Sequence, residues 1–191
     1  ASAAVVTCAK SPRTCRECAT DASGIGRRLV GHVLARLDPA VTAMGTGRPA
    51  DPPTMPSHPM VIGFENHGGR TDLEPGARSF GTVELGHGNN GLDATEGVLL
   101  LPGEGGVGGL RIGTYLHGPL LPRNPHVADA LIAAAIARGG PISGLPALDD
   151  HLEWSAHRVG AERMRRIARE DRRIPRWAHR VLDPVKALIG Y

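Results

Sequence analysis

The sequence predicts a single α/β domain. Between residues 60 and 116, four short apolar or alternating runs are separated by Gly, Asn and Pro, a pattern typical of β-strands. Two longer stretches downstream carry apolar residues at helical spacing instead. The chain has 191 residues, which is enough for one ordinary domain with a tail and too few for two full enzyme domains.

The predicted strands lie in the middle of the chain, at residues 60–64, 79–85, 97–101 and 110–116. Further upstream, residues 28–37 have an apolar spacing that fits either a short strand or a helix. The Pro- and Gly-rich residues 45–59 predict a long loop, because each proline fixes its own backbone and restricts the residue before it. We therefore divide the chain into an N-terminal segment, a central domain region and an Arg-rich helical tail, at residues 1–59, 60–140 and 141–191.

Two helices are predicted after the strands. Asn124 is a capping residue and Pro125 suits the first helical position, so the first helix covers residues 126–138. Its expected apolar face consists of Val127, Leu131, Ala134 and Ala135. The second helix, from residue 152 to about 173, is expected to pack on the surface. The thin apolar stripe of this helix consists of Val159, Met164, Ile167 and Ala168.

Composition excludes several classes of protein. No apolar run approaches the ~20 residues that cross a bilayer, and no export signal opens the sequence, so we expect a soluble, cytoplasmic protein. The three cysteines are crowded into the first tenth of the chain, which suits a reducing compartment. With only 2 Trp, 2 Tyr and 2 Phe, the chain has little to stack on nucleic-acid bases.

Basic charge is concentrated near the C-terminus. The formal net charge is only +3, yet residues 158–180 contain nine arginines against three carboxylates. Such a cluster could bind nucleic acid. A solvated helix face, or a docking surface for an acidic partner, is the better interpretation, because an apolar stripe interrupts the basic face. We therefore expect no nucleic-acid partner.

Three segments carry residues that could do chemistry. His117 follows strand-forming residues and precedes Gly118, which places it at the carboxyl end of a strand, where open α/β sheets keep their sites. Residues 63–71 gather a carboxylate, an amide, an imidazole and guanidinium around paired glycines. They could line a polar site, although a turn that satisfies local backbone groups is favoured. Residues 86–91 form a turn between strands and lack a phosphate-binding pattern.

The cysteines give no metal site. Cys15 and Cys18 have the two-residue gap of a zinc knuckle or a thiol redox pair. A structural zinc would need a second ligand pair, and only the isolated His32 follows. The residues before Cys15 do not form the strand that a redox pair requires. We expect no metal.

Taken together, three motifs closely resemble the glutamine amidotransferase subunits of lipid II isoglutaminyl synthases. These motifs are GFENHGGRT at 63–71, GHGNNG at 86–91 and GTYLHGPLLP at 113–122. The resemblance is dense from residue 60 to 132, and residues 27–31 are similar to the family's upstream arginine segment. It implies a three-layer class I glutamine amidotransferase-like (flavodoxin-like) domain of the cobyric-acid-synthase-like branch, here expected to be N-terminally incomplete.

The resemblance also implies a reaction. Such subunits hydrolyse glutamine and pass ammonia to a Mur-ligase-like partner, which uses ATP and Mg to amidate D-glutamate in lipid II to D-isoglutamine during peptidoglycan synthesis. The glutaminase subunit itself needs no cofactor. His117 matches the family's catalytic histidine, and Arg28 matches the residue that binds the glutamine α-carboxylate. Arg27 takes that role if the register is off by one.

The sequence departs from the family at the nucleophile. No cysteine is followed by glycine, and Cys8 stands too close to Arg28 for the family's layout. We identify no nucleophile and expect this chain alone not to hydrolyse glutamine. The acidic residue that many relatives carry just after the histidine is missing too, although Glu65 could orient His117. A non-catalytic, partner-binding amidotransferase and a cobyric-acid-type amidotransferase are the alternatives.

Overall fold

The computed structural model describes residues 5–8, 28–45, 60–104, 108–140 and 148–173. Within these residues the strands are β1 (Val5–Cys8), β2 (Leu29–Leu37), β3 (Met60–His67), β4 (Arg70–Leu73), β5 (Gly81–Leu85), β6 (Thr95–Glu96), β7 (Val98–Leu100), β8 (Arg111–Gly113) and β9 (Leu116–His117). The helices are α1 (Pro39–Gly45), α2 (Leu120–Arg123), α3 (Pro125–Ala137) and α4 (His151–Arg173). Among these helices, none combines the length and apolarity that a membrane crossing requires.

A five-stranded sheet organises the described residues. Its strand order is β6-β5-β2-β3-β9, and every pairing in it is antiparallel. Two smaller antiparallel pairs, β1 with β4 and β7 with β8, lie outside it. The strand β2 is central although its apolar spacing was ambiguous. Val33, Leu34 and Ala35 are all completely buried, because both faces of the sheet are covered and the residues do not alternate with polar ones.

Helices cover both faces of this sheet, as the predicted three-layer architecture requires. On one face, Val33 and Val61 pack with Val41 of α1 and Val127 of α3. On the other face, Leu34, Met60 and Ile62 pack with Ala161 and Met164 of α4. The predicted α/β class is confirmed, and the Arg-rich tail contributes one of the three layers.

The predicted strands are present with shifted ends. The first extends beyond residue 64 to His67, and the second begins at Gly81. The prediction of one strand at 110–116 is wrong: β8 ends at Gly113, and Leu116 and His117 pair with β3 instead of with β7. The chain has to leave the β7–β8 pair within two residues in order to join the large sheet.

Helix α3 begins where its sequence signals place it, but its inward face differs from the prediction. Val127, Ala130 and Ala133 are buried, whereas Ala135 is exposed. The helix is apolar on nearly every side, so its packing against α1 and the sheet selects the inward face. Apolar spacing alone could not decide between these residues.

In α4 the predicted apolar stripe is also wrong in part. Met164 is buried as expected, but Val159 is 65% exposed and Ile167 is 38% exposed. The buried line instead includes His157 and Ala161. A histidine and an alanine are weak apolar signals, so the sequence pattern did not reveal the true contact face.

Asn124 occupies the N-cap position of α3 without capping the helix. Its Oδ1 accepts the backbone N–H of Ile62 at 2.9 Å, and its Nδ2 donates to the Ile62 carbonyl at 2.9 Å. Nδ2 also donates to the Leu120 carbonyl at 2.7 Å. The side chain thus satisfies the edge of β3 beside β9 and fixes α2 and α3 to that strand.

A cluster of three rings attaches α4 to α2 and α3. His126 of α3 stacks on Trp154 with centroids 5.1 Å apart, and His157 meets both rings edge-on. His157 Nδ1 donates to the Arg123 carbonyl at 2.8 Å. Burial, together with the neighbouring His157, lowers the pKa of His126 to about 3. Burial also lowers the pKa of His157.

These histidines should make the docking of α4 sensitive to acid. Because their pKa values are lower in the folded chain than in the unfolded chain, the unfolded chain binds more protons below pH ~6.5. The stability they contribute is complete above that pH and falls as the pH drops toward the folded value of His126, about 3. For His126 we expect a loss of roughly 1.4 kcal/mol per pH unit in this window.

Urea unfolding at pH 7.5 and pH 5, followed by circular dichroism, measures this loss. The substitution His126→Phe should remove most of the difference between the two pH values. His151→Phe, at the exposed start of α4, is the control and should keep it. An unchanged pH dependence in His126→Phe would contradict the assignment.

Candidate active site

The buried carboxylate of Glu65 holds the first two motifs together. Glu65 lies near the end of β3 and is completely buried. Its Oε1 accepts the backbone N–H of His87 at 2.8 Å and lies 2.8 Å from the Nδ1 of the same residue. Its Oε2 accepts the N–H of Gly88 at 3.0 Å and lies 3.4 Å from Nε2 of His67. The favoured interpretation of residues 63–71 as a locally satisfied turn is therefore wrong, because β3 extends to His67, β4 begins at Arg70, and Glu65 bonds a distant loop.

Residues 86–91 connect β5 to β6, as predicted, and bond closely to their surroundings. Asn89 is 1% exposed; its Oδ1 accepts the Gly97 N–H at 2.7 Å and its Nδ2 donates to the Gly97 carbonyl at 3.0 Å. Gly88 has a φ of +67°, and a Cβ there would collide with the Thr95 carbonyl. Only glycine lets the backbone approach Glu65 and Thr95 together.

The third motif is attached through Tyr115. Its ring stacks on His67 with centroids 3.8 Å apart and an interplanar angle of 6°. Its hydroxyl lies 2.9 Å from Oγ1 of Thr71, and the Thr71 N–H donates to the Asn89 carbonyl at 3.0 Å. The three motifs that carry the family resemblance therefore form one bonded unit.

His117 ends β9, at the end of a strand as predicted. It pairs with Phe64 on β3, and its neighbour Leu116 pairs with Glu65. Leu116 is buried and packs directly over Gly63, where a Cβ would lie 3.0 Å from the leucine side chain. Because side chains alternate along a strand, the exposed His117 and the buried Glu65 lie on opposite faces of the sheet. Glu65 therefore does not orient His117, and that expectation is wrong.

Arg28 reaches the same sheet face as His117. Its Nε donates to Oδ1 of Asn66 at 3.0 Å, and its Nη2 donates to the Asn66 carbonyl at 2.9 Å and to Oδ1 at 2.8 Å. Asn66 and Phe64 are two residues apart on β3, so their side chains share the face that carries His117. The strand β3 thus brings both predicted site residues to one exposed surface.

Sequence reasoning did not assign Asn66 or Phe64 a separate role, and it treated His32 only as an isolated potential ligand. His32 in fact meets the Phe64 ring edge-on, with centroids 5.7 Å apart. Pairing between β2 and β3 produces this contact, since His32 lies directly opposite Phe64. No local signal in residues 28–37 could reveal it, because their strand register was unknown.

Two expectations concern the cysteines and metals. Among the described residues, no cluster of three or more His, Cys, Asp or Glu side chains could hold a metal ion. Cys8 lies on β1 opposite Arg70 of β4, in a two-stranded pair separate from the sheet of His117. Cys15, Cys18 and Arg27 lie outside the described residues.

Comparison with known families identifies the class. The family of CobB/CobQ-like glutamine amidotransferase domains matches residues 22–125, more than half of the chain. The chain therefore belongs to this family.

Two curated relatives within this class of amidotransferase are similar to the chain. The chain is 38% identical over 106 residues to the lipid II isoglutaminyl synthase (glutamine-hydrolyzing) subunit GatD of Staphylococcus aureus (strain N315), covering 56% of this chain and 40% of the relative. It is also 38% identical over 91 residues to the subunit of the same name from Streptococcus pneumoniae (strain ATCC BAA-255 / R6), covering 47% and 32%. The chain thus spans about a third to two fifths of these relatives, and the predicted resemblance is confirmed.

The central position of Glu65 leads to a stability prediction. Each carboxylate oxygen of Glu65 accepts one backbone N–H. In Glu65→Gln one of these oxygens becomes an NH2 group, so two donors face each other and one backbone N–H loses its acceptor. Because a buried donor without an acceptor costs roughly 1–3 kcal/mol, and a charge-assisted bond is lost as well, we expect a destabilisation of about 3 kcal/mol in urea unfolding.

Glu84→Gln is the matched control for this substitution. Glu84 makes surface ion pairs with Arg36 and Arg165 at 3.4 and 3.9 Å. Such pairs contribute ~0–1 kcal/mol, so the control should change stability little. Equal effects of the two substitutions would show that the burial of Glu65 has no special importance.

Proposed function

We propose that this chain is part of a glutamine-hydrolysing subunit that supplies ammonia for the ATP-dependent amidation of D-glutamate in lipid II to D-isoglutamine. Family membership and the similarity to two such subunits support the proposal. The observation that carries it is the shared face of β3, where Phe64 pairs with His117 and Asn66 bonds Arg28. A general acid–base group, His117, and an anion-binding group, Arg28, then lie on the same surface.

The proposed chemistry divides between these two residues. Arg28 holds the α-carboxylate of glutamine through its guanidinium, a geometry that suits bidentate contact. A cysteine thiolate attacks the side-chain amide carbon, and His117 takes the thiol proton and later delivers it to the departing ammonia. Water then releases glutamate from the thioester.

The thiol and the acceptor of ammonia lie outside the described site. Among the described residues, no cysteine shares the sheet of His117. We propose that a Mur-ligase-like partner binds ATP and Mg, activates the substrate carboxylate and receives the ammonia, so that lipid II is reached through that partner. The glutaminase step itself uses no cofactor. The cytoplasm, where ATP is available, is the proposed location.

Replacing His117 with asparagine tests the catalytic assignment. In the subunit produced from its native gene together with its partner, we expect kcat for ammonia release from glutamine to fall ~10²- to 10⁴-fold, as for other general acid–base groups. The control His151→Asn changes an exposed residue of α4 and should keep full activity. Retained activity in His117→Asn would refute the assignment.

The same assay applied to the 191-residue chain alone should detect no ammonia. Release that Cys8→Ala abolishes would mean that Cys8 is the nucleophile after all. An active partner complex without any glutaminase activity would instead support a non-catalytic binding subunit.

Arg28 and Arg27 can be separated by a matched pair of substitutions. Arg28→Lys keeps the charge but loses the planar fork, so we expect the KM for glutamine to rise roughly 10- to 100-fold, the equivalent of one charged hydrogen bond. Arg27→Lys should leave KM unchanged. The reverse result would move the carboxylate-binding role to Arg27.

A further inference from the structure

Glu96 is a buried carboxyl group that the proposed mechanism does not use. It ends β6, is completely buried, and accepts the hydroxyl of Thr114 at 2.5 Å. Its second oxygen has no hydrogen-bond partner among the described residues. Burial raises the pKa of Glu96; the Thr114 bond opposes this rise and the nearby Glu65 adds to it. An incompletely bonded buried carboxyl group destabilises a fold, so its presence calls for an explanation.

The Glu96 contact continues to the strand of His117. The Thr114 hydroxyl donates to Glu96, and its oxygen accepts the backbone N–H of Leu116 at 3.0 Å. Leu116 directly precedes His117 in a strand of only two residues. Glu96 is in turn fixed on both sides, because Asn89 bonds the Thr95 carbonyl and the backbone of Gly97.

The imidazole of His117 has no hydrogen bond of its own to the described residues. Its position therefore depends on its backbone. Leu116 fixes that backbone through packing over Gly63 and through the bond to Thr114. Loss of the second contact would let β9 rotate about its remaining attachments, with the histidine at its end.

We propose that Glu96 and Thr114 are positioning residues for His117, acting through the Leu116 backbone. This inference rests on the proposed function only in giving His117 a catalytic role; the contacts themselves can be tested in the 191-residue chain. It links the motifs in one order: Glu65 bonds residues 87 and 88, Asn89 bonds the residues on either side of Glu96, and Glu96 bonds Thr114. The buried Glu96 thus influences the position of the exposed His117 without contacting it.

Thr114→Val and Thr114→Ser form the decisive pair. Valine keeps the β-branched shape and removes the hydroxyl, whereas serine keeps the hydroxyl. In ¹³C,¹⁵N-labelled chain we expect Thr114→Val to speed hydrogen exchange of the Leu116 amide about tenfold, the equivalent of one hydrogen bond, and to shift the ¹³Cε1–¹H signal of His117. Thr114→Ser should restore both values, and Thr82→Val, at an exposed position of β5, should change neither.

Two results would overturn the inference. Unchanged Leu116 exchange and an unchanged His117 signal in Thr114→Val would show that the hydroxyl positions nothing, and equal effects of valine and serine would assign the effect to side-chain shape. If Thr114→Val does not fold, Glu96→Leu and Glu96→Gln give the same comparison, since only glutamine keeps an acceptor. The spectra do not depend on glutaminase activity, so an active His117→Asn subunit would refute the proposed function alone.

Discussion

The described fold around the site depends on one buried carboxylate. Glu65 places a carboxyl group in the interior, and such burial costs stability unless hydrogen bonds to its oxygens compensate. The backbone N–H groups of His87 and Gly88 provide those bonds. The loop at 86–91 must therefore keep its conformation for β3 to keep Glu65 inside, and β3 is also the strand on which Arg28 and His117 converge.

The two faces of β3 have separate tasks. One face carries the buried side chains of Glu65 and His67. The other carries Asn66 and Phe64, which lie beside the groups proposed to meet substrate. Because side chains alternate along a strand, this division is possible within the four residues 64–67. It also explains why the short motif GFENHGG is rich in polar side chains. Alternate residues bond buried groups on one face of the sheet and candidate site residues on the other.

The sequence correctly predicted those features that depend on neighbouring residues along the chain. The start of α3 followed from Asn124 and Pro125, and the strand-end position of His117 followed from its neighbours. The sequence could not reveal that Asn124 bonds Ile62 or that Glu65 reaches His87, because these contacts join residues distant in sequence. The buried faces of α3 and α4 were missed in part for a related reason: α3 is apolar on nearly every side, and α4 buries a histidine and an alanine. The resemblance supplied the candidate site residues, His117 and Arg28, which periodicity could not.

The absence of a carboxylate beside His117 among the described residues changes what its surroundings must do. A histidine bonded to an acidic neighbour is oriented by that bond. His117 instead has both ring nitrogens free of described partners, so in the proposed reaction one of them is available to take the thiol proton and later to return it to the departing ammonia. Orientation then has to come from the main chain, through the short β9 and its contacts to Gly63 and Thr114. Because a displacement of about 1 Å can cost ~10²-fold in rate, the proposed mechanism requires main-chain support of His117 in place of an acidic partner.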